Sequence, residues 1–105
     1  MDGITWAASA MVAARTRLEI ATDNLANLST EGFRRVAARG ALTGTGVSIE
    51  RSRGPATAPG TPSGVDAIAE MIDVLAAERS FESAQKAVTA IDQSRQKSAE
   101  AARIQ

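Results

Sequence analysis

A chain of 105 residues with three aromatics (Trp6, Phe33 and Phe81) and alanine at many of its apolar positions makes one small domain at most, with little buried area per residue. Its 12 basic and 12 acidic side chains cancel, so no net field steers it toward nucleic acid or an anionic membrane. Without cysteine or histidine it has no disulfide, no thiol chemistry and no histidine acid–base relay, and no cofactor or metal is expected.

The first expected element is an N-terminal assembly helix, residues 1–28. Ile4, Met11, Leu18 and Leu25 recur every seven residues, and Ala7, Ala14, Ala21 and Leu28 follow each by three. That is an a/d heptad pattern, with a narrow apolar stripe that winds left-handedly against a partner helix. Arg15, Arg17, Glu19 and Asp23 lie off the stripe. Met1-Asp2-Gly3-Ile4-Thr5-Trp6 lacks the basic and long apolar regions of a cleaved secretory signal, and no apolar run reaches the length of a membrane span.

A turn and short β-hairpin are expected over 29–53. Ser29-Thr30-Glu31-Gly32 ends the helix, and Phe33 to Arg39 and Val47 to Arg51 carry β character, with Gly40, Gly44 and Gly46 between them. Arg34, Arg35, Arg39, Arg51 and Arg53 make this region basic, but no aromatic platform accompanies them, so they read as a solvated or subunit-facing surface. Residues 54–64 contain all three prolines and read as a mobile linker.

A C-terminal assembly helix is expected over 65–105. Asp66 suits its N-terminal dipole, and Arg95, Lys97 and Arg103 suit its C-terminal end. Val65, Ile68, Ile72 and Leu75 form one apolar stripe, and Phe81, Ala84, Val88 and Ile91 form another on nearly the opposite side. One partner helix cannot cover both. Either the helix meets different neighbours along its length, or one end stays exposed. The expected helix interface is Ile4, Met11, Leu18, Leu25, Ile72, Leu75, Val88 and Ile91. The fold class is therefore mainly α: two long terminal helices in a coiled-coil-like pair, joined by a short hairpin and a Pro/Gly linker.

The end of the first helix reads Asp23-Asn24-Leu25-Ala26-Asn27-Leu28-Ser29-Thr30-Glu31-Gly32-Phe33-Arg34. It resembles the N-terminal signature of bacterial flagellar rod and hook proteins, with Asn24, Ala26, Asn27, Thr30, Gly32, Phe33 and Arg34 at matching spacing. Glu70-Met71, followed by Arg79-Ser80-Phe81-Glu82, resembles the family's C-terminal pattern, which makes Glu70, Met71, Arg79, Phe81 and Glu82 the C-terminal assembly residues. The asparagine amides and Thr30 suit the unsatisfied backbone groups of a helix end, Gly32 suits a positive φ, and Phe33 suits an apolar anchor.

The resemblance implies a structural subunit of the flagellar basal-body rod. It would be exported by the flagellar type III apparatus without signal cleavage and would polymerise through its terminal helices. The implied partners are other rod subunits, further copies of itself and the export apparatus, with no nucleic acid and no small-molecule substrate. Asp23, Glu78, Ala84 and the polar stretch after Asp92 depart from the family pattern, and the short middle segment favours a proximal-rod type or a divergent, reduced relative.

Two other classes are weaker. A small secreted helical-hairpin binding protein of another export system would place Trp-x-Gly between its helices, but Trp6 lies near the N-terminus, where an interface anchor explains it. An enzyme built on Ser80, Ser83 and Lys86, or on Glu78 and Glu82, would use residues that at helical spacing read as solvated pairs. Arg79 and Glu82 read either as such a surface pair or as a contact that sets register between subunits.

Overall fold

A computed structural model describes residues 3–104. Met1, Asp2 and Gln105, the outer ends of the two expected helical segments, lie outside the described residues. The element order is α1 (Gly3–Ala26), β1 (Val36–Thr43), β2 (Gly46–Arg53) and α2 (Ala67–Ile104).

The two helices run antiparallel. Gly3 lies against Ile91, Ala14 and Leu18 share a groove with Ala77 and Phe81, and Ala21 shares a cleft with Glu70 and Ala77. On α1 the alanines at positions 7, 14 and 21 are buried, as the heptad pattern requires. Ile4, Met11, Leu18 and Leu25 are only half-buried, and Leu28 falls beyond the helix and is exposed. The buried surface is wider than a narrow a/d stripe, because Ala13, Ile20 and Asn24 are buried as well. The hairpin accounts for the difference, since α1 packs on both strands in addition to α2.

On α2 one straight seam carries the packing. Glu70, Val74, Ala77, Phe81, Ala84, Val88 and Ile91 are buried or half-buried at alternating spacings of four and three. The seam includes Val88 and Ile91 and excludes Ile72 and Leu75, which face solvent. Of the two stripes, Phe81 to Ile91 is covered, while Ile68, Ile72 and Leu75 are exposed and Val65, just before the helix, is buried. Asp66 caps the helix: its Oδ1 accepts from the Ile68 and Ala69 backbone N–H groups at 3.0 and 3.4 Å. Past Ile91 the helix projects beyond α1, which helps draw the molecule out to 73 Å in its longest dimension.

The hairpin pairs Val36 with Arg53 at its base and Thr43 with Gly46 at its tip. The first strand therefore starts and ends later than expected, and Gly40 lies within it opposite Ile49. Two strands alone are marginal in water, and here α1 supplies the missing layer. Ser9 fixes the tip, its Oγ accepting from Val47 N–H at 3.1 Å while donating to the Trp6 carbonyl at 2.8 Å. Gly46 sits over that hydroxyl at φ +132°, where a Cβ would be both strained and in collision with Ser9 Oγ.

Candidate assembly site

The motif after α1 is a compact junction. The helix closes through tightened turns, with Asn27 N–H donating to Asn24 O at 3.1 Å and Leu28 N–H to Leu25 O at 3.2 Å. Asn27 acts as expected: its Nδ2 donates to the Asp23 carbonyl at 2.9 Å, and its Oδ1 accepts from Thr30 Oγ1 at 3.1 Å. Gly32 adopts φ +71°, so its positive-φ role holds. Ala26 is the last, exposed residue of α1.

Asn24 has a different role from the helix-end bonding expected of it. It is fully buried, and its amide imitates a strand: Nδ2 donates to Val36 O at 2.9 Å, and Oδ1 accepts from Val36 N–H at 3.0 Å. One side chain thereby satisfies both backbone groups of the residue that opens β1.

The Pro/Gly segment is tied to this junction instead of hanging free. Gly32 N–H donates to Thr61 O at 2.6 Å, Gly64 N–H to Phe33 O at 3.1 Å, and Ser63 Oγ to Asn27 O at 2.8 Å. Gly54 N–H donates to Arg35 O at 3.1 Å, and Arg34 Nε donates to Gly54 O at 2.6 Å. Phe33 is half-buried, with the Arg53 guanidinium 5.8 Å from its ring centroid, so it packs under a cation.

An ion pair joins the junction to α2. Arg35 Nε donates to the Glu70 carboxylate, and Arg35 NH2 donates to Asp73 Oδ2 at 3.2 Å. Glu70 is 1% exposed, so its partner is obligatory. The expected C-terminal residue Glu70 is thus brought to the N-terminal motif by Arg35, a residue sequence reasoning read only as part of a basic surface. The available signal was the pair itself: a carboxylate at a seam position with basic residues after the motif turn. Of the other C-terminal residues, Phe81 lines the groove with Ala14 and Leu18, while Met71, Arg79 and Glu82 are exposed. Trp6 lines a second groove with Ala7, Ala10, Ala84 and Ala87.

Ser80, Ser83, Lys86, Glu78 and Glu82 are exposed on α2. Among the described residues no group of histidine, cysteine or carboxylate side chains could hold a metal, and no helix is long and apolar enough to cross a membrane.

A terminal helix, a polar junction and a second terminal helix, with the middle of the chain set aside as a hairpin, define a subunit whose two end segments form one body. Family comparison gives that body a place. Residues 4–34 match the model described as flagella basal body rod protein, and residues 62–101 match the model described as flagellar basal body rod FlgEFG protein C-terminal. The chain belongs to the flagellar basal body rod protein family. The matches fall on α1 with its motif and on α2 with its cap, and the hairpin lies between them. No curated protein matches the chain.

Proposed function

We propose that the chain is a proximal-type structural subunit of the flagellar basal-body rod, exported by the flagellar type III apparatus and polymerising through its terminal helices. The observation that carries this reading is the coincidence of the two family matches with two helices that form one seam, closed by the Asn24 and Arg35–Glu70 contacts. A structural role suits the exposed side chains Glu78, Ser80, Glu82, Ser83 and Lys86 of α2, which stand in solvent at helical spacing. Its partners on this reading are other rod subunits, further copies of itself and the export apparatus.

The test is mass spectrometry of purified hook–basal bodies, beside a motility assay of the deletion strain. The chain is expected there in amounts comparable to the other rod subunits, with motility lost on deletion. Its absence from basal bodies with motility intact would overturn the rod role and bring forward the secreted helical-hairpin reading.

A further inference from the structure

Of the two helices only α1 packs on the strands, and this leaves one side of the hairpin open. In an antiparallel ladder, residues alternately turn their backbone groups toward the partner strand and away from it. Val36 turns both of its groups away from β2, to the Asn24 amide. Ala38, Gly40 and Leu42 share its phase, so their N–H and C=O groups also point outward along the free side of β1. Among the described residues none of these groups has a partner outside the hairpin. The strand is exposed from Arg39 to Thr43, and Ala38 lines the cleft between β1 and α2.

The opposite edge is better guarded. On β2 the outward N–H of Val47 is taken by Ser9 Oγ, and Glu50, Arg51 and Arg53 set charges along the strand, which keeps an edge from pairing. On β1 the only charge is Arg39, and Ala38, Gly40 and Leu42 are uncharged. Two guanidiniums stand beside this open edge, one on each face. Arg17 reaches over Gly40 on the α1 side, where a Cβ on Gly40 would meet its guanidinium. Arg39, the neighbouring residue in the strand, points to the outer face. Neither forms an ion pair among the described residues, although Glu50 lies across the ladder from Arg39. The carboxylates that line the cleft, Glu70 and Asp73, are both held by Arg35.

We propose that the outer edge of β1, from Ala38 to Leu42, takes up an extended acidic segment of a partner protein as a third strand. Backbone bonds to Ala38, Gly40 and Leu42 supply the register. Side chains of the added strand alternate between its faces, so two adjacent carboxylates meet both Arg17 and Arg39. The added strand also reinforces a hairpin that is marginal as two strands. A second copy pairing edge to edge would set two Arg17 and two Arg39 side chains against one another, which disfavours that occupant. The inference uses only the hairpin and Arg17, so it stands apart from the rod-subunit reading.

The test uses the full-length chain, isotope-labelled for amide NMR, and a blocked peptide as long as β1 with two adjacent glutamates among threonines and valines. At saturation the Ala38, Gly40 and Leu42 amides are expected to exchange with solvent at least about tenfold more slowly, while those of Ile49 and Arg51 stay unchanged. Arg17→Gln is expected to weaken binding by about fivefold, and a peptide with lysines in place of the glutamates should not bind. Leu42→Pro removes one outward N–H, keeps the ladder to β2, and is expected to weaken binding by about tenfold. Equal binding of the lysine peptide, protection centred on Ile49 and Arg51, or unchanged affinity in both variants would overturn the proposal. So would the same protection arising in the chain alone as its concentration rises, because a second copy would then be the occupant.

Discussion

Arg35 and Asn24 each satisfy groups that have no other recourse. Replacing Arg35 with alanine leaves the buried Glu70 carboxylate without its cation and is expected to cost about 3 kcal/mol of unfolding free energy. Glu70→Gln keeps an acceptor for Arg35 Nε and is expected to cost only about 1–2 kcal/mol, so urea melts of the two variants should separate clearly. Equal losses would show that the pair contributes packing alone. Asn24→Ala orphans both Val36 backbone groups, and a loss of about 2 kcal/mol is expected. Asn24→Asp still accepts from Val36 N–H but sets a negative charge against Val36 O. It should therefore recover no more than part of that loss, and full recovery would contradict the two-bond geometry. The motif's spacing marked Asn24 as important, but its partner was illegible, because a side chain bonding a residue 12 positions later depends on where the turn sends the chain. Gly32 was legible, since a positive φ is a local demand that glycine meets at no steric cost.

At the scale of the elements, the seam rewards small residues on α1. Ala14 is 3% exposed where α1 meets α2, and Ala14→Leu is expected to destabilise by about 1–3 kcal/mol through overpacking. Ile72→Ser with Leu75→Ser should leave the thermal midpoint of dilute chain nearly unchanged, because both side chains already face water. A large loss there would mean that these residues pack within the molecule after all. Both helices and the hairpin were readable from periodicity and turn chemistry. Of the α2 seam, the part from Phe81 to Ile91 was readable as an apolar stripe and the part before it was not, and the reason is specific: it runs through Glu70 and Ala77, a carboxylate and an alanine, while the bulkier Ile72 and Leu75 draw the eye to the solvent face. Hydrophobic size identifies a packing face only where the neighbour is fixed, and here Arg35 makes a charged residue the buried one. The Pro/Gly segment misled in the same way. Its composition suggests freedom, but Thr61, Ser63 and Gly64 find backbone partners on the motif turn.

For the whole molecule, the contrast is between a braced half and a projecting half. The isolated chain is expected to show less helix than the 24 residues of α1 and 38 of α2, because the stretch after Ile91 has no helix beside it. Far-ultraviolet circular dichroism giving full helicity, with a sharp, concentration-independent melt, would contradict this. Truncation after Asp92 should move the melting midpoint by no more than about 3 °C. Between the two arms, the chain departs after Arg35 and returns at Gly54, and those two residues are joined by a backbone hydrogen bond. Everything from Val36 to Arg53 is thus an excursion that begins and ends at one doorway, with open space around its outermost glycine, Gly44. An epitope or small reporter spliced in at that tip would lengthen the excursion without shifting either arm, which gives a permissive address for labelling the protein in a living cell.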